Sequence, residues 1–330
     1  MDPITQGVLG AAAAQTALAR RLGPRTWLYG ALGGMAADLD VLIRSGDPMV
    51  ALTYHRHFTH SLAFVPIGGL LCALPWLLQP KLGPRRKLIA AATTIGYATH
   101  GLLDAFTSYG TQLWWPFSST RVAWDFVAII DPIYTLLLAL GVWLAKRRGS
   151  PRSALAALIA SSMYLALGGV LHARAVAGAK NLAQQRGHEL ARVDAFPMLP
   201  VNFVWRTAYR AGGRIYVDEV RTPWFGSTTM NEGGSSPVVD ETHLPADVVA
   251  DARTLAAFRT FAWFADGWVG RSEADPTQFT DLRYGIGTRS TASLWTLQLA
   301  PGQPRPVQLV TQRPQASTLA AERWHEMLGD

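Results

Sequence analysis

Apolar runs cut by short basic links fill the first half of this 330-residue chain and limit what it can fold into. About six runs are legible, near 4–19, 26–43, 61–79, 88–106, 126–145 and 153–171. A helix that spans a bilayer takes roughly 20 apolar residues. The later runs approach that length, whereas the first two are short or interrupted. From 185 onward Gly, Pro, Thr, Arg and Asp mix with apolar residues, which explains a mean hydropathy of only +0.12. The expected architecture is an α-helical membrane bundle of about six apolar helices over 1–172, then a linker over 173–200. A small β-rich extramembrane domain follows over 201–330.

The net charge of +7 would fit a nucleic-acid partner if the basic residues formed a patch. They do not. Arg20, Arg21, Arg25, Lys81, Arg85, Arg86, Lys87, Lys146, Arg147, Arg148 and Arg152 sit in links between apolar runs. That is where topology signals belong, so no nucleic-acid partner is expected. By the positive-inside rule these links face the cytoplasm. The other links and the C-terminal domain then face the periplasmic side of a bacterial inner membrane. The start Met1-Asp2-Pro3 lacks the basic residues of a cleavable signal. The single cysteine, Cys72, rules out an intrachain disulfide.

Imidazoles and carboxylates at the ends of apolar runs are costly unless something binds them. Asp38 and Asp40 close the second run. His55, Arg56, His57 and His60 fill the next link. His100 and Asp104, spaced i, i+4 on one helix face, end the fourth run. On the six-segment topology all of them fall at one side, which points to one shared metal site. His and Asp ligands without Cys suit zinc first, and also accommodate manganese or magnesium. Several of each permit two ions, an arrangement suited to phosphate esters. Arg56 could hold a phosphate in bidentate fashion or simply solvate its link. Asp131 before Pro132 is expected to cap a helix. Gly33-Gly34 and Gly68-Gly69 read as close helix-packing points. His172, His188, His243 and His325 are isolated and receive no role.

The C-terminal part holds strand-like stretches in 201–220 and 257–300, among them 214–217 and 293–297, with a turn at Gly212-Gly213. A loop is expected over 225–245, a short helix near 249–259, and a surface ion pair between Asp281 and Arg283.

Several motifs combine into a family resemblance. They are Met1-Asp2-Pro3-Ile4-Thr5, Ala37-Asp38-Leu39-Asp40, His55-Arg56 followed by Thr59-His60-Ser61, and His100-Gly101-Leu102-Leu103-Asp104 with Thr107-Ser108-Tyr109-Gly110-Thr111. In that order they resemble the YdjM-like inner-membrane proteins, which are described as membrane-bound metal-dependent hydrolases. Asn202-Phe203-Val204-Trp205-Arg206 and Asp281-Leu282-Arg283-Tyr284-Gly285 resemble the C-terminal domain of longer members. A more distant similarity extends to the helical zinc phospholipase C and P1 nuclease group. The resemblance implies an integral membrane protein with a divalent metal and hydrolase activity. Members often carry His where this chain has Gln6, and His57 falls at a variable position of the motif. Some members are described as binding a DNA-damage repressor, which is the source of a partner-binding alternative.

The expected function is a metal-dependent hydrolase acting on a phospholipid or another amphiphilic phosphoester. Asp38, Asp40, His55, His60, His100 and Asp104 are the expected ligands, and Arg56, Asp40 and His60 the catalytic side chains. The alternative is a non-catalytic, metal-stabilised membrane scaffold.

Overall fold

A computed structural model describes residues 1–311 apart from 44, 201, 273 and 274. His325 therefore lies outside the described residues. Two compact units emerge: Met1–Ile43 with Tyr54–Gly169, and Arg44–Thr53 with Val170–Asp330.

The first unit is helical. Helices α1 (Pro3–Leu22), α2 (Thr26–Ala36), α4 (Val65–Leu77), α5 (Arg85–Ala105) and α6 (Pro132–Arg148) carry it, with the start of α7 (Arg152–Gln185). The short α3 (Pro48–Tyr54) lies almost wholly in the other unit's range. Local signals set the ends. Asp2 caps α1 by accepting from the Thr5 amide, with Pro3 behind it. Asp131 does the same for α6 through the Tyr134 amide, and Gly149 ends that helix in the left-handed region.

The six-helix apolar bundle is not what forms. Among the described residues only α7 is long and apolar enough by itself to cross a membrane. The chain as a whole mixes helices with two antiparallel sheets. The physical reason lies inside the apolar runs. The run at 61–79 opens in 3-10 turns and leaves α4 only 13 residues, or about 20 Å of helix, short of the roughly 30 Å hydrocarbon layer. The run at 26–43 breaks at Ala36 into a 3-10 helix over Ala37–Leu42. Helices α5 and α6 include Arg85, Arg86, Lys87 and Lys146, Arg147, Arg148 within their lengths. With one qualifying helix, the alternation of basic links no longer assigns sides.

Close glycine contacts bring α1, α2 and α5 together. A Cβ on Gly33 would stand 2.0 Å from the Thr93 carbonyl oxygen, and one on Gly96 2.1 Å from that of Gly30. These helices therefore touch backbone to backbone. Leu103, Val127, Tyr134 and Leu138 fill the core beside them.

The second unit holds both sheets. In the first, β1 (Arg192–Pro197), β2 (Val204–Ala211), β3 (Arg214–Arg221) and β4 (Thr229–Asn231) follow in order, and β5 (Ser235–Pro237) pairs with β3. The second runs β6 (Val269–Arg271), β7 (Gln278–Asp281), β8 (Trp295–Leu299), β9 (Val307–Thr311). Gly212 and Gly213, both at positive φ, turn β2 into β3. Two helices, α8 (Ala246–Ala250) and α9 (Ala252–Phe264), lie between the sheets in sequence. The stretch expected as loop thus contains β4 and β5, and the start of the expected strand region at 257 is helix. The Asp281–Arg283 pair is buried, not superficial.

Candidate metal centre

Asp38, Asp40, His55, Arg56, His60, His100 and Asp104 all come together in the first unit. The 3-10 helix after α2 changes the pitch at Ala37, which lets Asp38 and Asp40 serve neighbouring contacts. His60 ends another 3-10 turn, and Gly101 allows it to approach α5. A Cβ on Gly101 would lie 2.0 Å from the His60 carbonyl oxygen. His100 and Asp104 project from one face of α5.

Hydrogen bonds fix the histidine rings. The Nδ1 of His100 faces the Gly34 carbonyl oxygen at 2.5 Å, and a carbonyl can only accept. That nitrogen carries a proton in either ionisation state, so Nε2 is the atom turned into the cluster, where a metal would replace its proton. His60 is held likewise, with Nδ1 3.0 Å from Thr59 Oγ1 and 3.4 Å from Asp40 Oδ2. His55 places Nδ1 2.9 Å from Asp40 Oδ1.

The inward atoms are fully buried and unsatisfied. Among the described residues, His60 Nε2, His100 Nε2 and Asp104 Oδ2 make no well-formed hydrogen bond, and only ion-pair contacts reach them, an expensive arrangement for side chains at zero exposure. Their spacing explains it. His60 Nε2 lies 3.2 Å from Asp104 Oδ2 and 3.5 Å from Asp38 Oδ1. His100 Nε2 lies 3.4 Å and 3.3 Å from the same two oxygens. A tetrahedron with bonds of about 2.0–2.1 Å has edges of about 3.3 Å. These four residues fit one cation. Asp38, Asp40 and His55 form a second group of potential ligands that shares Asp38 with the first.

Arg56 completes the centre from within. Its backbone sits at φ 62°, in the left-handed region. Its amide donates to Asp40 Oδ2 at 2.9 Å, and its carbonyl accepts from the Gln112 amide at 3.0 Å. The guanidinium places Nε 3.2 Å from Asp104 Oδ2, donates through Nη1 to Thr107 Oγ1 at 2.8 Å, and lies over the Tyr109 ring. His57 stands apart, packed against Tyr54, Phe58 and Trp115.

Sequence reasoning missed several supports. Gln6 Nε2 donates to Asp104 Oδ1 at 2.8 Å, and the Met1 amino group contacts the same oxygen. Thr59, Thr107 and Tyr109 belonged to the quoted motifs without a role. Their placement beside charged residues was the available signal.

Electrostatics follow from this crowding. Burial alone would raise the Asp38 carboxyl, but the close approach of His100 and His60 holds it well below the usual carboxylate range. Burial likewise opposes ionisation of Asp104, but Arg56, the Met1 amino group and His100 together outweigh it and hold the carboxyl well below its usual range. Burial would lower His100, but Asp104 and then Asp38 push it up to about 9.

A family model described as YdjM inner membrane protein matches residues 1–175. All the ligand candidates lie within that stretch. The uncharacterized protein YfhP of Bacillus subtilis (strain 168) is 26% identical over 265 residues, covering 76% of this chain and 75% of that protein. No solved structure matches.

Proposed function

The chain belongs to the YdjM family of inner membrane proteins, and on that premise we propose that it is a metal-dependent hydrolase of amphiphilic phosphoesters, phospholipids foremost. The observation that carries the reading is the convergence of His60 Nε2, His100 Nε2 and Asp104 Oδ2, buried and without a well-formed hydrogen bond, with Asp38 Oδ1 as the fourth corner. Zinc suits that set. When bound, such an ion lowers the pKa of water and polarises a phosphoryl oxygen.

The remaining residues have distinct tasks. Asp38 is 19% exposed while the other three ligand side chains are sealed, so access to the centre is from the Asp38 side. Asp40 orients His55 and His60 together through its two oxygens. His55, held by Asp40 and partly exposed, is placed to accept or donate a proton as general acid–base. Sharing of Asp38 also lets Asp40 and His55 extend the centre to a second ion. Arg56 steadies Asp104 and offsets the negative charge of three carboxylates. Leu39 and Leu42, 62% and 64% exposed, flank Asp38 and Asp40 and give the rim an apolar character. A rim of this kind favours a substrate with a hydrocarbon portion.

One feature favours a second reading. Four protein ligands at tetrahedral spacing can also close around a structural ion, which would make the centre a scaffold. Purified protein incubated with phosphatidylglycerol vesicles and zinc separates the two. The hydrolase reading expects phosphorus-containing product that disappears with chelator and in His55→Ala. Metal retention with no product across a panel of phospholipids and soluble phosphodiesters overturns it in favour of the scaffold.

A further inference from the structure

Away from the metal centre, the first unit contains a cavity of about 440 Å³ between α1, α5, α6 and α7. Leu9, Leu103, Phe106, Phe126 and Leu165 form its walls. Neither His100 nor Asp104 is among its lining residues, and Thr99 and Leu102 of α5, which line it, lie on other faces of that helix. No charged side chain lines it. Two of its polar groups are already engaged: Thr99 Oγ1 donates to the Gly96 carbonyl at 2.7 Å, and Tyr134 is hydrogen-bonded to Ser161, while the third, Ser162, is exposed at the mouth. The wall therefore offers a ligand hydrocarbon and little else.

We infer that this cavity seats one acyl chain of a membrane phospholipid, with the headgroup left outside. The mouth supports the assignment. Leu102, lining it, is 45% exposed, and Met163 beside Ser162 on α7 is 68% exposed. A cavity opening among such side chains is entered from an apolar phase. A peptide would leave its amides unpaired against these walls, at a cost of one to several kcal/mol each, and a charged metabolite would find no counter-ion. A family of inner membrane proteins meets phospholipid chains continuously. The volume is within the range of specific ligand pockets, about 300–1,000 Å³.

The inference does not rest on the metal reading, and its test keeps the two apart. Native mass spectrometry of the full chain, released from its membrane in mild detergent, counts the phospholipid it retains. Wild type retains one per chain. Ser162 and Ala166 line the mouth and are exposed, so Ala166→Phe and Ser162→Leu fill the space without repacking the core. Each buried methylene is worth about fourfold in affinity, so each variant lowers retention by about tenfold or more. Ser162→Ala, which leaves the space open, retains the lipid, as does His60→Ala with its metal centre broken. If Ala166→Phe misfolds, Ser162→Leu decides. Wild type without bound phospholipid, or filled variants that retain it undiminished, overturns the assignment.

Discussion

The two units differ in how they treat their most crowded buried charge. In the second, each deeply buried carboxylate among the described residues is answered by the chain itself, as Asp131 is in the first. Asp281 takes two bonds from the Arg283 guanidinium, at 3.0 and 2.8 Å. Asp218 is gripped by Arg186 at 2.8 and 2.9 Å. Glu219 accepts from Thr288, Arg221 and Asn231. In the first unit, Asp104 and two histidines crowd to within 3.4 Å, yet their inward atoms lack a well-formed hydrogen bond. A saturated cluster is architecture. An unsaturated one of the same residue types has room for a further positive charge.

Substitutions can break that contrast from either side. The largest effect is expected in the second unit. Asp281→Ala strands a buried guanidinium and should cost about 3–5 kcal/mol, read as a lower denaturant midpoint, with metal content unchanged. A midpoint near wild type would mean that the pair is not the support described. Gly101→Ala forces a methyl group into the His60 carbonyl. It should cost about 1–3 kcal/mol and also remove metal binding, because His60 must move. Retention of full metal affinity would disprove the close approach. Asp40→Asn keeps the shape but weakens the orientation of His55 and His60. Metal affinity should fall about 10–100-fold in a competition titration, with little change in melting temperature.

The smallest effect concerns protons. In metal-free protein His100 is raised from 6.5 to about 9. Its contribution to stability is complete below about 6.5 and is lost as pH rises through 9. The depressed carboxyls of Asp38 and Asp104 act oppositely: their contribution is present above about 4 and is lost on acidification. A metal ion must displace the His100 proton. Binding at pH 7 should therefore release close to one proton, seen as a buffer-dependent heat in calorimetry, and the release should vanish in His100→Ala. Buffer-independent heats would contradict the assigned state of His100.

How far the sequence reached can be argued residue by residue. The grouping of Asp38, Asp40, His55, His60, His100 and Asp104 was legible because ionisable groups at the ends of apolar runs have few inexpensive explanations. Asp131 was legible because Asp-Pro is a local signal that one turn of helix interprets. The turn at Gly212-Gly213 was local too. The membrane bundle failed for the converse reason. Apolar length does not reveal where helix continues, and 3-10 turns break the runs at Ala37 and before Val65, the latter opened by Ser61 accepting from the Phe64 amide. The burial of Asp281 with Arg283 also escaped, because a two-residue spacing says nothing about what covers it. Gln6 was read only as a departure from a family pattern, yet it supports Asp104 directly.

The central claim is that Asp38, His60, His100 and Asp104 hold a divalent cation. Elemental analysis of the purified full chain, beside a His60→Ala/His100→Ala double variant of the same melting temperature in chelator, tests it most directly. The account predicts at least one zinc or other divalent ion per wild-type chain and none above background in the variant. A wild type that stays metal-free after incubation with zinc, manganese or magnesium, or a variant that keeps its metal, would contradict it.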